Sequence, residues 1–238
     1  MDPNSSRRPI IASPLGEVLR AIRLHGTVYF KAALAAPWGM AMPQNSVANF
    51  HVVVSGRPWV AWEGETLRLQ PGDIAVFPEG TAHRLMHELG AACVSGPTLL
   101  PVLQAGGRCG GDGPETVLIC GHFAWDSEVP HPLFDGLPRA LVVRAGDQDD
   151  PAWVGTVSEL AVAESERGET GSPEVVDRLA EVLMIGVLRA WADAQDRPNG
   201  FLGALAEPGL ARALSAMHQS PQTSWNLADL ATLAGMSR

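Results

Sequence analysis

The sequence predicts an α+β protein in which a small antiparallel β-barrel is followed by helices. Glycines and prolines, 25 and 19 in 238 residues, concentrate before about residue 151, where short β-like runs alternate with turn signals. Beyond Pro151 the apolar period changes from 2 to about 3.6. With 46% hydrophobic and 18% charged residues and a mean hydropathy of +0.05, the chain is too apolar to be disordered and too evenly mixed to be fibrous.

The expected strands are Thr27–Leu34, Asn49–Val54, Pro58–Trp62, Thr66–Leu69, Ile74–Phe77, Ala82–His87 and Thr116–Phe123. Glu63-Gly64-Glu65 and Ser55-Gly56-Arg57 are hairpin-type turns, which makes the strands they join antiparallel neighbours. Ala105–Gly113 is a glycine-rich loop. Trp153, Val157, Leu160 and Val162 outline a helix ending at the Gly168–Gly171 turn. Ser172 as N-cap, with Pro173 at the first helical position, opens a second helix. Its stripe of Val175, Val176, Leu179, Val182, Leu183, Val187 and Trp191 runs to about Asp196, where Arg197-Pro198-Asn199-Gly200 stops it. These two helices either cover a face of the barrel or meet a second copy of the chain.

A helix from Pro208 to His218 precedes Asn226, which caps another helix with Asp229 as capping-box partner and Gly235 as the turn. Met236 and Ser237 continue a helix-turn-helix pattern whose second helix stops at Arg238, so this stretch alone is not expected to read bases. The organisation read from these signals is 1–150 barrel, 151–200 helical dimerisation or linker region, and 201–238 the opening of a helix-turn-helix.

Charge and cysteine usage narrow the function. The net charge of −9 and pI near 5.2 argue against binding nucleic acid by wholesale charge neutralisation. From Pro208 onward only Arg212 and Arg238 are cationic side chains, so DNA binding is expected of a longer protein and not of this stretch. Three cysteines form no disulfide framework, and Cys93 reads as structural. The segment after Arg7 and Arg8 contains no signal-peptide core, and Val182–Leu188 is far short of the roughly 20 residues a membrane crossing needs. A cytoplasmic protein with no membrane partner is the expectation.

The most specific string is Gly72-Asp73-Ile74-Ala75-Val76-Phe77-Pro78-Glu79-Gly80-Thr81-Ala82-His83. Gly72-Asp73 turns the chain into a strand, Pro78 ends that strand, Gly80 permits a positive φ, and His83 begins the next. This spacing resembles the second motif of the cupin superfamily, β-barrels in which that histidine points inward and often binds a metal. The first cupin motif would end at Gly56, but Asn49 stands where its glutamate belongs and Gln44 or Asn45 where a histidine belongs. The usual cupin metal centre is therefore not expected, and a cupin metalloenzyme (dioxygenase or isomerase) is the rival reading. Together with Trp225-Asn226-Leu227-Ala228-Asp229-Leu230-Ala231 and Gly235-Met236-Ser237-Arg238, the barrel and helices resemble AraC-family transcription regulators with a cupin-type sensor.

That resemblance implies a cysteine pair near Cys109 and Cys120. With His51 and His83 they make a set of two imidazoles and two thiolates suited to zinc or another divalent transition metal, and His122 and His87 are the substitutes. Such a centre could answer an oxidant by forming a Cys109–Cys120 disulfide. Trp38, Phe50, Trp59, Trp62 and Phe77 are either core or the wall of a small-molecule effector pocket. The implied function is sensory and not enzymatic: a homodimeric regulator domain that passes a barrel-borne signal through its helices.

Overall fold

The computed structural model describes residues 14–21, 24–125, 132–145, 152–167, 169–194 and 200–237. Its strands are β1 (His25–Ala35), β2 (Gly39–Met42), β3 (Ala48–Ser55), β4 (Trp59–Trp62), β5 (Glu65–Arg68), β6 (Ile74–Phe77), β7 (His83–Met86), β8 (Val94–Ser95), β9 (Cys109–Gly110), β10 (Glu115–Ala124) and β11 (Leu141–Val143). Its helices are α1 (Pro14–Ala21), α2 (Gly96–Gln104), α3 (Pro132–Asp135), α4 (Ala152–Arg167), α5 (Ser172–Asp193), α6 (Gly200–Ala206), α7 (Pro208–Gln219) and α8 (Leu227–Ala234).

The strands form two sheets, ordered β11-β6-β3-β10-β1-β9 and β5-β4-β7-β2-β8. Pairing is antiparallel except at the two-residue strands β9 and β8, which lie parallel to β1 and β2. Between the sheets lies a core that includes Leu34, Trp38, Met40, Val60, Phe77, Leu85, Leu118 and Cys120. Alternation sends the neighbours of these residues to the other face of the six-stranded sheet. There Phe50 stacks on Phe123 at 4.5 Å.

Helix α5 covers that outer face, and Val176, Ala180, Leu183, Met184, Val187 and Leu188 are buried along it. Two close approaches fit the layer together. A Cβ at Gly26 of β1 would collide with Ala180, and one at Gly186 would collide with the Trp153 ring of α4. The register of β1 against β10 shifts between Val28 and Phe30, and the Val28 amide donates to Asp177 Oδ1 of α5 at 3.1 Å. Of the two roles left open for the apolar stripe, covering the barrel accounts for most of it. Val175 and Val182 stay exposed.

Residues 24–125 and 137–195 group as one unit, so α4 and α5 belong with the barrel. The described parts of 1–23, 126–136 and 196–238 form the other. In that unit α1 packs on α6 and α7, and α7 packs on α8. Asn226 Oδ1 accepts from the Asp229 amide as the capping pattern anticipates, Gly235 takes the left-handed conformation, and Arg212 donates to the carbonyls of Leu233 and Ala234.

Some local expectations need correction. The Ser55-Gly56-Arg57 turn joins β3 to β4, which lie in different sheets and are not paired neighbours, so it is a crossing between sheets and not a hairpin. Ser172 does not cap α5: Gly171, with φ 93°, is the N-cap, and the Ser172 hydroxyl donates to Glu164 Oε1. Residues 39–42, 94–104 and 141–143, to which the sequence reading assigns no element, carry β2, β8, α2 and β11. Arg238 and the 197–199 stop fall outside the described residues.

The Gly72-Asp73 turn works as a clasp. Gly72 has φ 87°, and the buried Asp73 carboxylate accepts from the amides of Gln70 and Ala145 and pairs with Arg144 at 3.3 Å. Replacing Asp73 by Ala leaves two backbone donors without their acceptor and is expected to cost about 2–4 kcal/mol. Thermal unfolding of D73A against the parent chain checks this.

Candidate functional site

His83 is set by the turn before it. Gly80 (φ 63°) admits no Cβ, because Asn45 Oδ1 and the Val47 carbonyl occupy that space. Gln44 braces the same turn, donating from Nε2 to the Glu79 carbonyl at 2.8 Å and accepting from the Ala82 amide at 3.2 Å. The residues at the first-motif histidine position have thus become structural supports. The chain then delivers His83 flat against Phe77, with ring centroids 3.7 Å apart and an interplanar angle of 4°.

From the opposite sheet, β3 and β10 contribute His51 and Cys120, which are register partners. His51 Nε2 lies 2.7 Å from His83 Nε2, and His51 Nδ1 lies 3.1 Å from Cys120 Sγ. His83 Nδ1 in turn lies 2.7 Å from the Thr81 carbonyl. All three side chains are buried.

These contacts determine the protons. A carbonyl can only accept, so His83 Nδ1 carries a hydrogen, and the neutral ring offers a lone pair at Nε2. His51 must then donate from Nε2, which leaves its Nδ1 as acceptor for the Cys120 thiol. Every member is neutral and partnered. Burial is the main cause that holds His83 down at about 4, the Thr81 hydrogen bond opposing it. Burial and then the proximity of His83 hold His51 well below the usual imidazole range, and burial pushes the Cys120 thiol up.

Three of the four residues expected as metal ligands therefore meet, but not around one point. His83 and Cys120 approach opposite ends of the His51 ring, so a single ion cannot take all three without that ring turning. Cys109 pairs with Leu34, which pairs with Thr116, placing it two strands across and four residues along from Cys120. A disulfide spans a Cα separation of at most about 7 Å, so joining these two cysteines requires the backbone to move. Of the substitutes, His122 is opposite Asn49, two register pairs beyond Cys120, and His87 Nδ1 is engaged with the Trp38 backbone. Among the described residues no group of three His, Cys, Asp or Glu side chains is arranged to hold a metal ion.

A cavity of about 120 Å³ adjoins the array, lined by His51, Cys120, Asn49, Met40, Met42 and Leu100 among others. Asn49, at the first-motif glutamate position, is buried, and its Nδ2 has no hydrogen-bond partner among the described residues. Neither Asn49 nor the two methionines figured among the expected site residues. The missing glutamate was the only signal that could have drawn attention to Asn49.

The five aromatic candidates scatter. Trp38 and Phe77 are core, Phe50 lies in the helix-covered layer, Trp59 has Arg68 over its ring at 5.7 Å, and Trp62 is edge-on to Phe77 at 6.1 Å. Trp62 also lines a groove of about 660 Å³ on the five-stranded sheet, with Arg84 and Cys93.

The neutral array sets a pH dependence. Unfolded histidine takes up its proton near pH 6.5, whereas folded His83 does so near 4. Across that window the unfolded chain binds more protons, so stability falls as pH drops from about 6.5 towards 4, by about 1.4 kcal/mol per pH unit for one such histidine. Unfolding midpoints between pH 7 and 5 should show this, and His83→Gln should flatten the slope.

Comparison with known proteins places this geometry. The cupin family profile matches residues 13–193. An AraC-like transcription regulator of Streptomyces antibioticus is 28% identical over 230 residues, 94% of this chain and 75% of that protein. The regulator MtrA of Neisseria gonorrhoeae is 27% identical over 94% of this chain and 74% of its own length, and the RCS-specific activator RclR of Escherichia coli is 21% identical over 90% and 68%. Among solved structures, fatty-acid-bound ToxT of Vibrio cholerae aligns over 90% of this chain and 70% of its own, at 7% identity and a TM-score of 0.39. The relatives are transcription regulators and not enzymes, and the chain belongs to the cupin family, in the form carried by AraC-type helix-turn-helix regulators.

Proposed function

We propose that this chain receives the signal of a bacterial regulator through the buried Cys120–His51–His83 array, and that α4 and α5 relay it. The observation that carries this reading is the position of β10. Cys120 faces the core, while Ile119, the adjacent residue, lines a space against Val176 and Asp177 of α5. A change in the array's protons or ligands therefore bears on the strand under the helix. The signal is a small effector or an oxidant reaching the array, and the output is a change in how the segment beyond α8 engages DNA in a longer chain. The regulator works in the cytoplasm.

The test is transcription from a target promoter by the regulator carrying its complete DNA-binding segment. His83→Gln, which removes the partner of His51 Nε2, is expected to abolish the response to signal while promoter affinity stays within about threefold of the parent, the change expected of a distant substitution. A normal response in this variant would overturn the reading. Dimer formation, through the exposed Val175 and Val182 of α5, would appear as a doubled mass in light scattering.

The 2.7 Å approach of two imidazole nitrogens favours a second reading, in which a zinc-like ion lies between His51 and His83. Two nitrogens sharing a tetrahedral zinc stand about 3.3 Å apart, so a small opening admits it, with the Thr81 carbonyl already orienting the His83 ring. The ion would hold the two rings together and supply positive charge there. Elemental analysis of protein purified without chelator should then give one zinc per chain. A chain free of zinc removes this reading.

A further inference from the structure

The cavity beside the array carries donors outside the His–Cys set. Met40 is fully buried and packs in the same core as Cys120. Met42 seats its Sδ where Gly96 has no Cβ, and an alanine there would collide with that sulfur. Both methionines, Cys120 and His51 line one cavity of about 120 Å³, with no carboxylate among the described residues of its wall. We infer that this cavity is a binding site for a soft monovalent metal ion, Cu(I), held by the Cys120 thiolate and His51 Nδ1 with the thioethers of Met40 and Met42.

Three features of the site favour that ion. Thiolate and thioether sulfur select Cu(I) over harder ions. One thiolate cancels one positive charge, whereas a divalent ion would leave net charge buried among apolar side chains, which is costly. The hydrogen-bond chain from the Thr81 carbonyl also keeps the His51 Nδ1 lone pair directed at Cys120, so the nitrogen donor is already oriented.

Asn49 acquires a purpose on the same terms. It is the diagonal neighbour of Cys120 across the β3–β10 pair, and its unpartnered Nδ2 has an acceptor available once the thiol becomes a thiolate. Binding forms a Cu–S bond, breaks the S–H bond and releases one proton to solvent. Copper stays Cu(I) and no electron moves.

The inference rests on the array being the signal site, and it names the ligand class. Its test is made on the purified chain, freed of metal, under reducing anaerobic conditions. Cu(I) is supplied as its coloured bicinchoninate complex. The chain should withdraw one Cu(I) from the chelator, and excess Zn(II) should not restore the colour. Cys120→Ser should abolish withdrawal. Met40→Leu and Met42→Leu, which conserve volume and should keep the unfolding midpoint, should each weaken it by about tenfold to a hundredfold. A Cys93→Ser, Cys109→Ser double variant should bind like the parent.

No withdrawal by the parent, or equal binding by the Cys120 and methionine variants, overturns the site. Binding lost only in the double variant assigns the copper to the two partly exposed thiols and overturns it equally. Tight binding at Cys120 combined with a normal transcriptional response in His83→Gln would keep the site and remove the signal reading instead.

Discussion

Charge is excluded from the space between the two sheets, and that constraint orders the centre of this molecule. Two imidazoles and a thiol are buried there, and among the described residues no carboxylate or cation bonds to them. Such groups persist only when neutral and hydrogen-bonded. Neutrality then leaves one consistent placement of protons, running from the Cys120 thiol to the Thr81 carbonyl. The requirement reaches outward from the array. His83 needs the Thr81 carbonyl, the carbonyl needs the Pro78–His83 turn, and the turn needs Gly80 and the Gln44 brace.

Much of this arrangement was legible in the residues. The inward His83 was what the cupin resemblance implied, while the β-like runs Asn49–Val54 and Ile74–Phe77 and the turn residues of the Gly72–His83 string placed β3, β6 and the start of β7, because turn chemistry is local. The capped start of α8 at Asn226 was legible for the same reason. The strands that were missed are non-local. β8 and β9 are two residues long and exist only because β2 and β1 offer them a parallel edge. α2 contains Pro101, an interior residue that argues against a helix on sequence grounds.

The site was legible by type more than by geometry. Two histidines and a cysteine in strands of one barrel announced a cluster, and His51 and Cys120 are indeed opposite one another. Residue identity does not reveal that His51 spends both ring nitrogens on different neighbours, and this is what keeps a single ion from taking all three. Cys109 sits on the far side of β1, and only strand pairing could show that, since eleven positions separate it from Cys120 in the chain. Asn49 illustrates the complementary case. Read as a lost glutamate, it marks an absence, yet in the fold it is a buried amide on the cavity wall.

The register shift in β1 between Val28 and Phe30 leaves a backbone amide that Asp177 of α5 takes up. A fault in the weave of one strand has thereby become the fastening point of a helix. This bond adds a polar fastening to the apolar face of α5, on the strand directly beside the one that bears Cys120. Loosening β10 would bear on α5 at neighbouring points, through this bond on β1 and through Ile119 against Val176, so the helix would feel the strand along one short seam.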